Sequence, residues 1–248
     1  MLAYGQFQTE THRQLGNKFL KIGHRGAMGY EPENTLGSFQ TAIKLGVDMI
    51  ELDVHLCKSG ELVVIHNEKV DRTTNGKGFI ADMTLAELKK LDAGRGQLIP
   101  TLEEVLDEVN RRVSVNIELK GIGTAMPVAG LIDKYVSGGW DRNLFLVSSF
   151  NVSELKDFRE KDGKSRIGII FDKKSGDLFG LVDKLGAYSI HPNTKLVTPD
   201  LIEEAHKKGL RVFVWTVNFP DDIRRLIKIG VDGIFSDFPD RLVWSGGF

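Results

Sequence analysis

Acidic side chains lie on one face of two apolar strand-like segments, and their spacing indicates a metal site. Glu51 and Asp53 are separated by one residue, so they project from the same face of a β-strand. Asn116, Glu118 and Lys120 share one face of a second such segment. Burying carboxylates is costly without a partner, and hard divalent cations prefer oxygen ligands. We therefore predict that Glu51, Asp53 and Glu118 bind one divalent cation, Mg²⁺ or Ca²⁺. The alternative is a simple ion pair, for example between Glu118 and Lys120.

Titratable and cationic residues accompany these carboxylates at the ends of other apolar segments. His24 and His66 each end such a segment, and imidazoles can exchange protons near neutral pH. Arg25 and Lys120 supply positive charge suited to phosphate oxygens. Trp215 offers an apolar wall for a ligand, although a core role is equally common for such a residue. A metal, two cations and two histidines together indicate phosphoester chemistry.

The remaining candidate histidines have weaker signals. His55 shares its face with the first two carboxylates by spacing, but it lies near a turn and we predict a structural role. A lone histidine is generally a hydrogen-bonded structural residue, and that alternative also stands for His24 and His66. His12 and His206 are predicted to lie on the surface.

Eight short apolar segments alternate with helical segments along the chain. The predicted strands are centred on Ile22, Leu52 and Ile117 or run over 144–147, 167–170, 187–190, 212–215 and 233–235. This alternation is typical of a parallel sheet buried on both faces. Eight units in 248 residues favour an α/β fold of the (β/α)8 TIM-barrel type, with a doubly wound open sheet as the alternative.

In such a barrel the active site lies at the carboxyl ends of the strands. The residues found there are His24 and Arg25, Glu51 and Asp53, Glu118 and Lys120, Ser148 and Ser149, Phe171, His191, Trp215 and Asp237. Most of the polar residues belong to the first three strands. We therefore expect the chemistry on one side of the barrel mouth.

The predicted domain organisation is simple. Residues 1–18 form a polar N-terminal extension, and residues 19–248 form one catalytic barrel domain with a turn-rich insertion at 67–97 after the second strand. The insertion contains a capping box, in which Thr84 and Glu87 satisfy free amides at a helix start. A second capping signal at Thr101 predicts a helix to about Asn110.

Composition excludes several classes of protein. The chain has 33 Lys plus Arg and 34 Asp plus Glu, a balance that does not favour nucleic-acid or membrane-surface binding. Cys57 is the only cysteine, which excludes an intramolecular disulfide. The sequence has neither a signal peptide nor an apolar run of about 18 residues, so we expect a soluble cytoplasmic protein with no integral membrane segment. Nothing in the sequence specifies the oligomeric state.

Several motifs together resemble the glycerophosphodiester phosphodiesterase family. They are HRG at 24–26, PENT at 32–35, ELDV at 51–54, VVIH at 63–66, RTTNG at 72–76, NIELK at 116–120, VWTVN at 214–218 and GIFSD at 233–237. Each motif is weak alone, but the ordered set covers nearly the whole chain and is highly specific. One position departs from the family pattern, because Asn67 stands where the family usually has aspartate.

The resemblance implies a fold, a reaction and a role for each candidate residue. It implies a (β/α)8 barrel with a small insertion that hydrolyses glycerophosphodiesters, a small-molecule substrate, to sn-glycerol 3-phosphate and an alcohol. Carried over by position, His24 and His66 are the acid–base pair, Glu51, Asp53 and Glu118 the metal ligands, Arg25 and Lys120 the phosphate ligands, and Trp215 the residue beside the glycerol end.

Two other functions fit the same residues. One is a divalent-metal lyase or isomerase of the enolate type that uses Lys120 as its base. The other is a barrel that binds phosphodiesters without turnover, although such a module would not need His24 and His66.

Overall fold

The computed structural model describes residues 19–173 and 176–243. The predicted extension at residues 1–18, which includes His12, lies outside the described residues. Of the predicted catalytic domain, residues 174–175 and 244–248 lie outside them as well.

Eight parallel strands close into a barrel in the described part of the chain, as predicted. Strand order around the barrel is β1-β9-β8-β7-β6-β5-β4-β2, and pairing of β1 with β2 closes it. The strands are β1 (Leu20–Gly23), β2 (Met49–Leu56), β3 (Leu62–Val64), β4 (Ser114–Leu119), β5 (Phe145–Ser149), β6 (Arg166–Phe171), β7 (Ser189–Pro192), β8 (Arg211–Val214) and β9 (Gly233–Ser236). The ninth strand, β3, lies outside the barrel and pairs antiparallel with β2.

Helices surround the barrel in the order expected for this fold. Their bounds are α1 (Leu36–Lys44), α2 (Leu85–Leu88), α3 (Leu102–Val109), α4 (Ala125–Ser137), α5 (Val152–Lys161), α6 (Leu178–Leu185), α7 (Pro199–Lys207), α8 (Pro220–Lys228) and α9 (Asp240–Val243). Both predicted capping boxes are present, at Thr84 with Glu87 and at Thr101 with Glu104.

The segment 67–97, predicted as an insertion, follows the β2–β3 hairpin. It contains two short 3₁₀ helices, Val70–Arg72 and Ile80–Asp82, and the short helix α2. Its apolar residues pack in a small cluster of their own with β3, which includes Val63, Ile65 and Val70. This arrangement places 67–97 beside the carboxyl end of β2, so its residues can reach the barrel mouth.

Apolar packing fixes the strands from both sides. The outward side chains of β2, such as Ile50 and Leu52, are buried in the main core together with Phe39 of α1. Inside the barrel a smaller apolar cluster includes Ile22, Leu146 and Phe213. The inward positions nearer the mouth are polar on β2 and β4, and these positions hold the carboxylates predicted from the sequence.

The carboxyl end of strand β7 differs from the sequence prediction. β7 runs over Ser189–Pro192 instead of ending at 190, so His191 is a strand residue that is buried inside the barrel. Phe219 occupies the cap position of helix α8, directly after Asn218. The Asn218 side chain instead bonds to Asp237.

Candidate active site

A cavity of about 200 Å³ opens at the carboxyl end of the barrel. It is lined by His24, Arg25, Glu51, His66, Asn116, Glu118, Lys120, Phe150, Ile170, His191, Trp215, Thr216 and Phe235. Seven of the eight predicted site residues belong to this lining. The eighth, Asp53, lies immediately beside it among the carboxylates.

Strand register brings the three predicted metal ligands together. β2 pairs with β4 so that Asp53 is the partner of Glu118, and Glu51 is the partner of Asn116. Ligand oxygens of Glu51, Asp53 and Glu118 lie within 4.8 Å of one another, and all three residues are buried. The Oδ1 atom of Asp53 has no hydrogen-bond partner. Three buried carboxylates with a free oxygen fit a hard divalent cation, which binds oxygen ligands.

Two side chains supply positive charge around this cluster. The Nζ atom of Lys120 lies 2.8 Å from Glu118 Oε1 and 3.9 Å from Asp53 Oδ1. The Nε atom of Arg25 lies 3.4 Å from Asp53 Oδ2, and its backbone N–H donates to Glu51 Oε2. Arg25 adopts a φ of 49°, which is uncommon for a residue other than glycine and directs that N–H toward the carboxylate. The two cations only partly offset the three carboxylates.

Residues of the loop after β1 hold these groups in place. The Asn34 side chain donates to Asp53 Oδ2 over 2.8 Å. Glu33 accepts from Arg25 Nη1 over 2.8 Å and from Arg72 Nη1 over 2.7 Å. Although burial raises the pKa of Glu33, the two arginines lower it to about 2, so this residue is a carboxylate that orients both guanidinium groups.

His24 is held by a carboxylate from the last strand of the barrel. Its Nδ1 lies 2.6 Å from Asp237 Oδ1. Burial raises the pKa of Asp237, but the hydrogen bond with His24 lowers it below its usual value. An ionised carboxylate only accepts, so Nδ1 carries the hydrogen and Nε2 is left free. Asn218 supports Asp237 by donating to Oδ2 and accepting from its backbone N–H.

His66 is oriented by the neutral amide of Asn67. Its Nδ1 lies 3.2 Å from Asn67 Oδ1, and Arg72 Nε donates to the same oxygen over 2.6 Å. Because an arginine can only donate, the amide oxygen must face His66, so Nδ1 carries the hydrogen there too. Burial lowers the pKa of His66, and the positive charges of Arg25 and Lys120 lower it further. Asn67 thus provides the hydrogen bond, without the negative charge of an aspartate.

Trp215 forms one wall of the cavity. Its indole Nε1–H donates to the backbone carbonyl of His191 over 2.8 Å, which fixes the plane of the ring. Phe150 packs edge-on against it at a centroid distance of 5.4 Å and also lies below Lys120 Nζ. This wall is apolar and includes an aromatic residue, Phe150, that the sequence analysis did not single out.

The other histidines lie where their sequence context predicts, within the described residues. His55 is buried, and its Nε2 lies 3.1 Å from the backbone carbonyl oxygen of His66, so it supports the backbone beside the cavity. His206 is partly exposed on α7 and pairs with Asp232. Neither residue lines the cavity.

A family model decides which protein family this arrangement represents. Residues 24–241 match the model of the glycerophosphoryl diester phosphodiesterase family, which covers the strand ends that carry every candidate residue. The chain belongs to the glycerophosphoryl diester phosphodiesterase family.

Named relatives and solved structures agree with this family. The glycerophosphodiester phosphodiesterase of Caldanaerobacter subterraneus subsp. tengcongensis is 41% identical over 237 residues, covering 91% of this chain and 97% of the relative. That of Bacillus subtilis (strain 168) is 32% identical over 252 residues, covering 90% and 85%. An Oleispira antarctica phosphodiesterase, solved in complex with the product sn-glycerol-3-phosphate, superimposes with a TM-score of 0.84 at 29% identity, covering 90% of this chain and 95% of that one.

The protein is therefore a glycerophosphodiester phosphodiesterase on a (β/α)8 barrel. The predicted hydrolase class is confirmed, whereas nothing in these relatives favours an enolate-type lyase. Within the described residues, no helix is long and apolar enough to cross a membrane.

Several supporting residues were missed by the sequence analysis. Asp237 was noted only as a strand-end residue, and Asn34 and Glu33 only as parts of a motif. Each is a polar residue inside or beside a strand–loop junction of the barrel, which is the signal that could have identified it. The sequence does not show which residue each of them contacts, because partners such as His24 and Asp237 are 213 positions apart in the chain.

Proposed function

We propose that this phosphodiesterase hydrolyses glycerophosphodiesters to sn-glycerol 3-phosphate and an alcohol, with one divalent cation and with His24 and His66 as the acid–base pair. The observation that carries the proposal is the convergence of three buried carboxylates and two oriented imidazoles on one cavity. The bound product of the Oleispira antarctica relative supports the same product here.

Glu51, Asp53 and Glu118 would hold the cation. Once bound, Mg²⁺ or Ca²⁺ would supply positive charge to a non-bridging phosphate oxygen and so favour nucleophilic attack at phosphorus. The three buried carboxylates would supply the ligands of the cation. The Oδ1 atom of Asp53 makes no hydrogen bond and is not exposed to bulk water.

Arg25 and Lys120 would bind the remaining phosphate oxygens. Both line the cavity and both currently contact carboxylates of the triad. A phosphate with negative charge on its oxygens would compete for these contacts, as charge-assisted hydrogen bonds to phosphate are strong. The two side chains would thereby fix the phosphorus between the imidazoles.

His24 and His66 would transfer the protons. Each presents a free Nε2, because its Nδ1 hydrogen is used by Asp237 or Asn67. One Nε2 takes the proton from the attacking hydroxyl, which belongs to water or to the glycerol 2-hydroxyl. The other histidine, in its imidazolium form, donates its Nε2 proton to the alcohol oxygen as the bond from that oxygen to phosphorus breaks. A lowered pKa keeps His66 neutral at pH 7 and therefore able to accept a proton.

The direct test is product formation from a panel of glycerophosphodiesters. We expect release of sn-glycerol 3-phosphate, measured with a coupled glycerol-phosphate assay, from glycerophosphocholine, glycerophosphoethanolamine and glycerophosphoglycerol. Bis(p-nitrophenyl) phosphate serves as a diester without glycerol. Release of glycerol together with the phosphorylated headgroup, such as phosphocholine, would contradict the proposed position of cleavage.

Substrate discrimination should depend on the glycerol and not on the headgroup. The cations and carboxylates surround the phosphate, and the aromatic wall of Trp215 and Phe150 is expected beside the glycerol end and not beside the headgroup. Rates on the three glycerophosphodiesters should therefore agree within about tenfold, because one apolar contact is worth roughly 1–3 kcal/mol. A 2-deoxyglycerol analogue should be a very poor substrate, because a buried polar partner would be left unpaired. A strict headgroup preference with full activity on the deoxy analogue would show the reverse recognition.

Stability of the metal-free protein should depend on pH through the carboxylates. Burial, followed by the charge of Asp53, raises the pKa of Glu118 from 4.5 to about 7 and also raises that of Glu51. A raised folded-state pKa gives stability below the unfolded value that is lost as pH rises through the folded value. The metal-free protein should thus lose stability between about pH 4.5 and 7, as protons leave like charges.

A cation removes this loss because it binds the deprotonated carboxylates. We expect the increase in melting temperature on adding Mg²⁺ or Ca²⁺, measured by differential scanning fluorimetry, to be larger at pH 8 than at pH 5. The Glu118→Gln variant should show a smaller difference between the two pH values. An increase of the same size at both pH values in the unmodified protein would contradict this prediction.

A further inference from the structure

Two side chains that line the cavity are buried polar residues with unused hydrogen-bonding atoms. Asn116 is 1% exposed and His191 is 0% exposed. The Oδ1 and Nδ2 atoms of Asn116 and the Nδ1 atom of His191 have no hydrogen-bond partner. Buried polar atoms are almost always paired, so unpaired atoms in two residues that line a cavity indicate a ligand or an ordered water.

Both side chains are buried in the barrel interior, and the ring of His191 is held by its neighbours. Asn116 lies on β4, two residues before Glu118, and is therefore roughly 6–7 Å deeper in the barrel. The Nε2 atom of His191 is 2.8 Å from Ser189 Oγ, and its ring packs against Phe213 and Phe235. A Cβ atom at Gly168 would come within 2.5 Å of the ring, so glycine provides the space that the imidazole occupies.

The pair carries no positive charge that would favour an anionic ligand. Complete burial lowers the pKa of His191 to about 3, so its imidazole is neutral at pH 7. Asn116 is also neutral, and its strand partner is the carboxylate Glu51. Arg25 and Lys120 near the mouth are positively charged and are better ligands for the phosphate. The ligand at the cavity floor must be neutral and must both donate and accept hydrogen bonds, and a hydroxyl group does both.

We propose that Asn116 and His191 form a floor subsite that binds a hydroxyl group of the substrate's glycerol moiety. The inference rests on the proposed function and extends it from the phosphate to the polyol. A subsite of this kind favours substrates with free hydroxyl groups over simple alkyl phosphates, because a missing hydroxyl leaves buried polar atoms unpaired.

Binding measurements can test the subsite without turnover. We would measure sn-glycerol 3-phosphate and ethyl phosphate by isothermal titration calorimetry, with Mg²⁺ present throughout. Asn116→Leu and His191→Phe should each weaken sn-glycerol 3-phosphate binding by about tenfold or more, while ethyl phosphate binding stays within about twofold. A bound cation could also contact a hydroxyl group. With Mg²⁺ present, the subsite is therefore tested by the effect of each variant and not by the preference of the unmodified protein for sn-glycerol 3-phosphate.

Ser148→Ala is the matched control. The Ser148 Oγ atom is buried in the same barrel and has no partner, but this residue does not line the cavity. Its removal should leave the binding of both phosphates unchanged. If Asn116→Leu or His191→Phe weakens both phosphates equally, or raises the Mg²⁺ concentration needed for binding, the residue acts on the phosphate or the cation and the subsite is overturned.

For variants that do not fold, as checked by thermal unfolding, the unmodified protein is measured after exhaustive chelation, so that no cation contacts a hydroxyl group. The monodeoxy phosphates of propane-1,2-diol and propane-1,3-diol each lack one hydroxyl of sn-glycerol 3-phosphate. At least one should bind about tenfold more weakly than the parent. Equal binding of all three would overturn the subsite. Selective polyol binding without diester turnover would leave the subsite standing and refute the proposed function instead.

Discussion

Removal of divalent cations is expected to reduce glycerophosphodiester hydrolysis by about 10³-fold or more, with recovery on adding Mg²⁺ or Ca²⁺. A metal contributes several kcal/mol to stabilising charge on a phosphoryl group, and each 1.36 kcal/mol corresponds to a factor of ten. Glu51→Gln, Asp53→Asn and Glu118→Gln should each cause a comparable loss at low cation concentration. The measurement is turnover after exhaustive chelation and dialysis, followed by titration with each cation.

Asp162→Asn provides a buried-carboxylate control for these variants. Asp162 is buried to a similar degree, but it accepts from Arg142 and from Ser165 away from the cavity. Its substitution should lower the melting temperature and leave the cation requirement unchanged. Full activity of the unmodified protein after complete metal removal would refute the metal proposal.

His24→Ala and His66→Ala should each lower turnover by about 10²–10⁴-fold while the protein stays folded. Both imidazoles line one cavity and are held through Nδ1, so we expect the free Nε2 atoms to contact the substrate. Because the two act as a unit, the double variant should lose little more than the worse single variant. Single-turnover kinetics with saturating cation measure the chemical step directly.

His206→Ala is a suitable comparison because His206 is paired with Asp232 on the outside of the barrel. It should retain the rate of the unmodified protein. A rate near normal in either His24→Ala or His66→Ala would show that this residue has no part in proton transfer. Losses that multiply in the double variant would show that the two histidines act independently.

Much of the fold and part of the site could be predicted from local patterns in the sequence. Side chains in a strand alternate between its two faces. The spacing of residues alone therefore predicted that Glu51, Asp53 and Glu118 share the inward faces of β2 and β4. Pairing of β2 directly with β4 then made the three carboxylates neighbours. Helix starts at Thr84 and Thr101 followed from capping chemistry that involves only four residues.

Features that depend on tertiary contacts could not be predicted in this way. The orientation of His66 depends on Arg72, which fixes the amide of Asn67 from within the 67–97 segment. The unused atoms of His191 depend on the exact end of β7, and strand ends are set by pairing with neighbouring strands as well as by composition. Side-chain partners separated by a long stretch of chain leave no local pattern.

The bond between His24 and Asp237 joins the first barrel strand to the last. β1 pairs with β9 along the line where the two ends of the barrel meet, and this bond lies at the top of that line. During synthesis on the ribosome, all three carboxylates of β2 and β4 are present long before Asp237 emerges. The carboxylates therefore precede the partner of His24 in the chain, and His24 acquires that partner only when the last strand docks. Orientation of His24 is in this way tied to docking of the last strand, so a barrel without β9 would contain the three carboxylates and His66 but would leave His24 without its carboxylate partner.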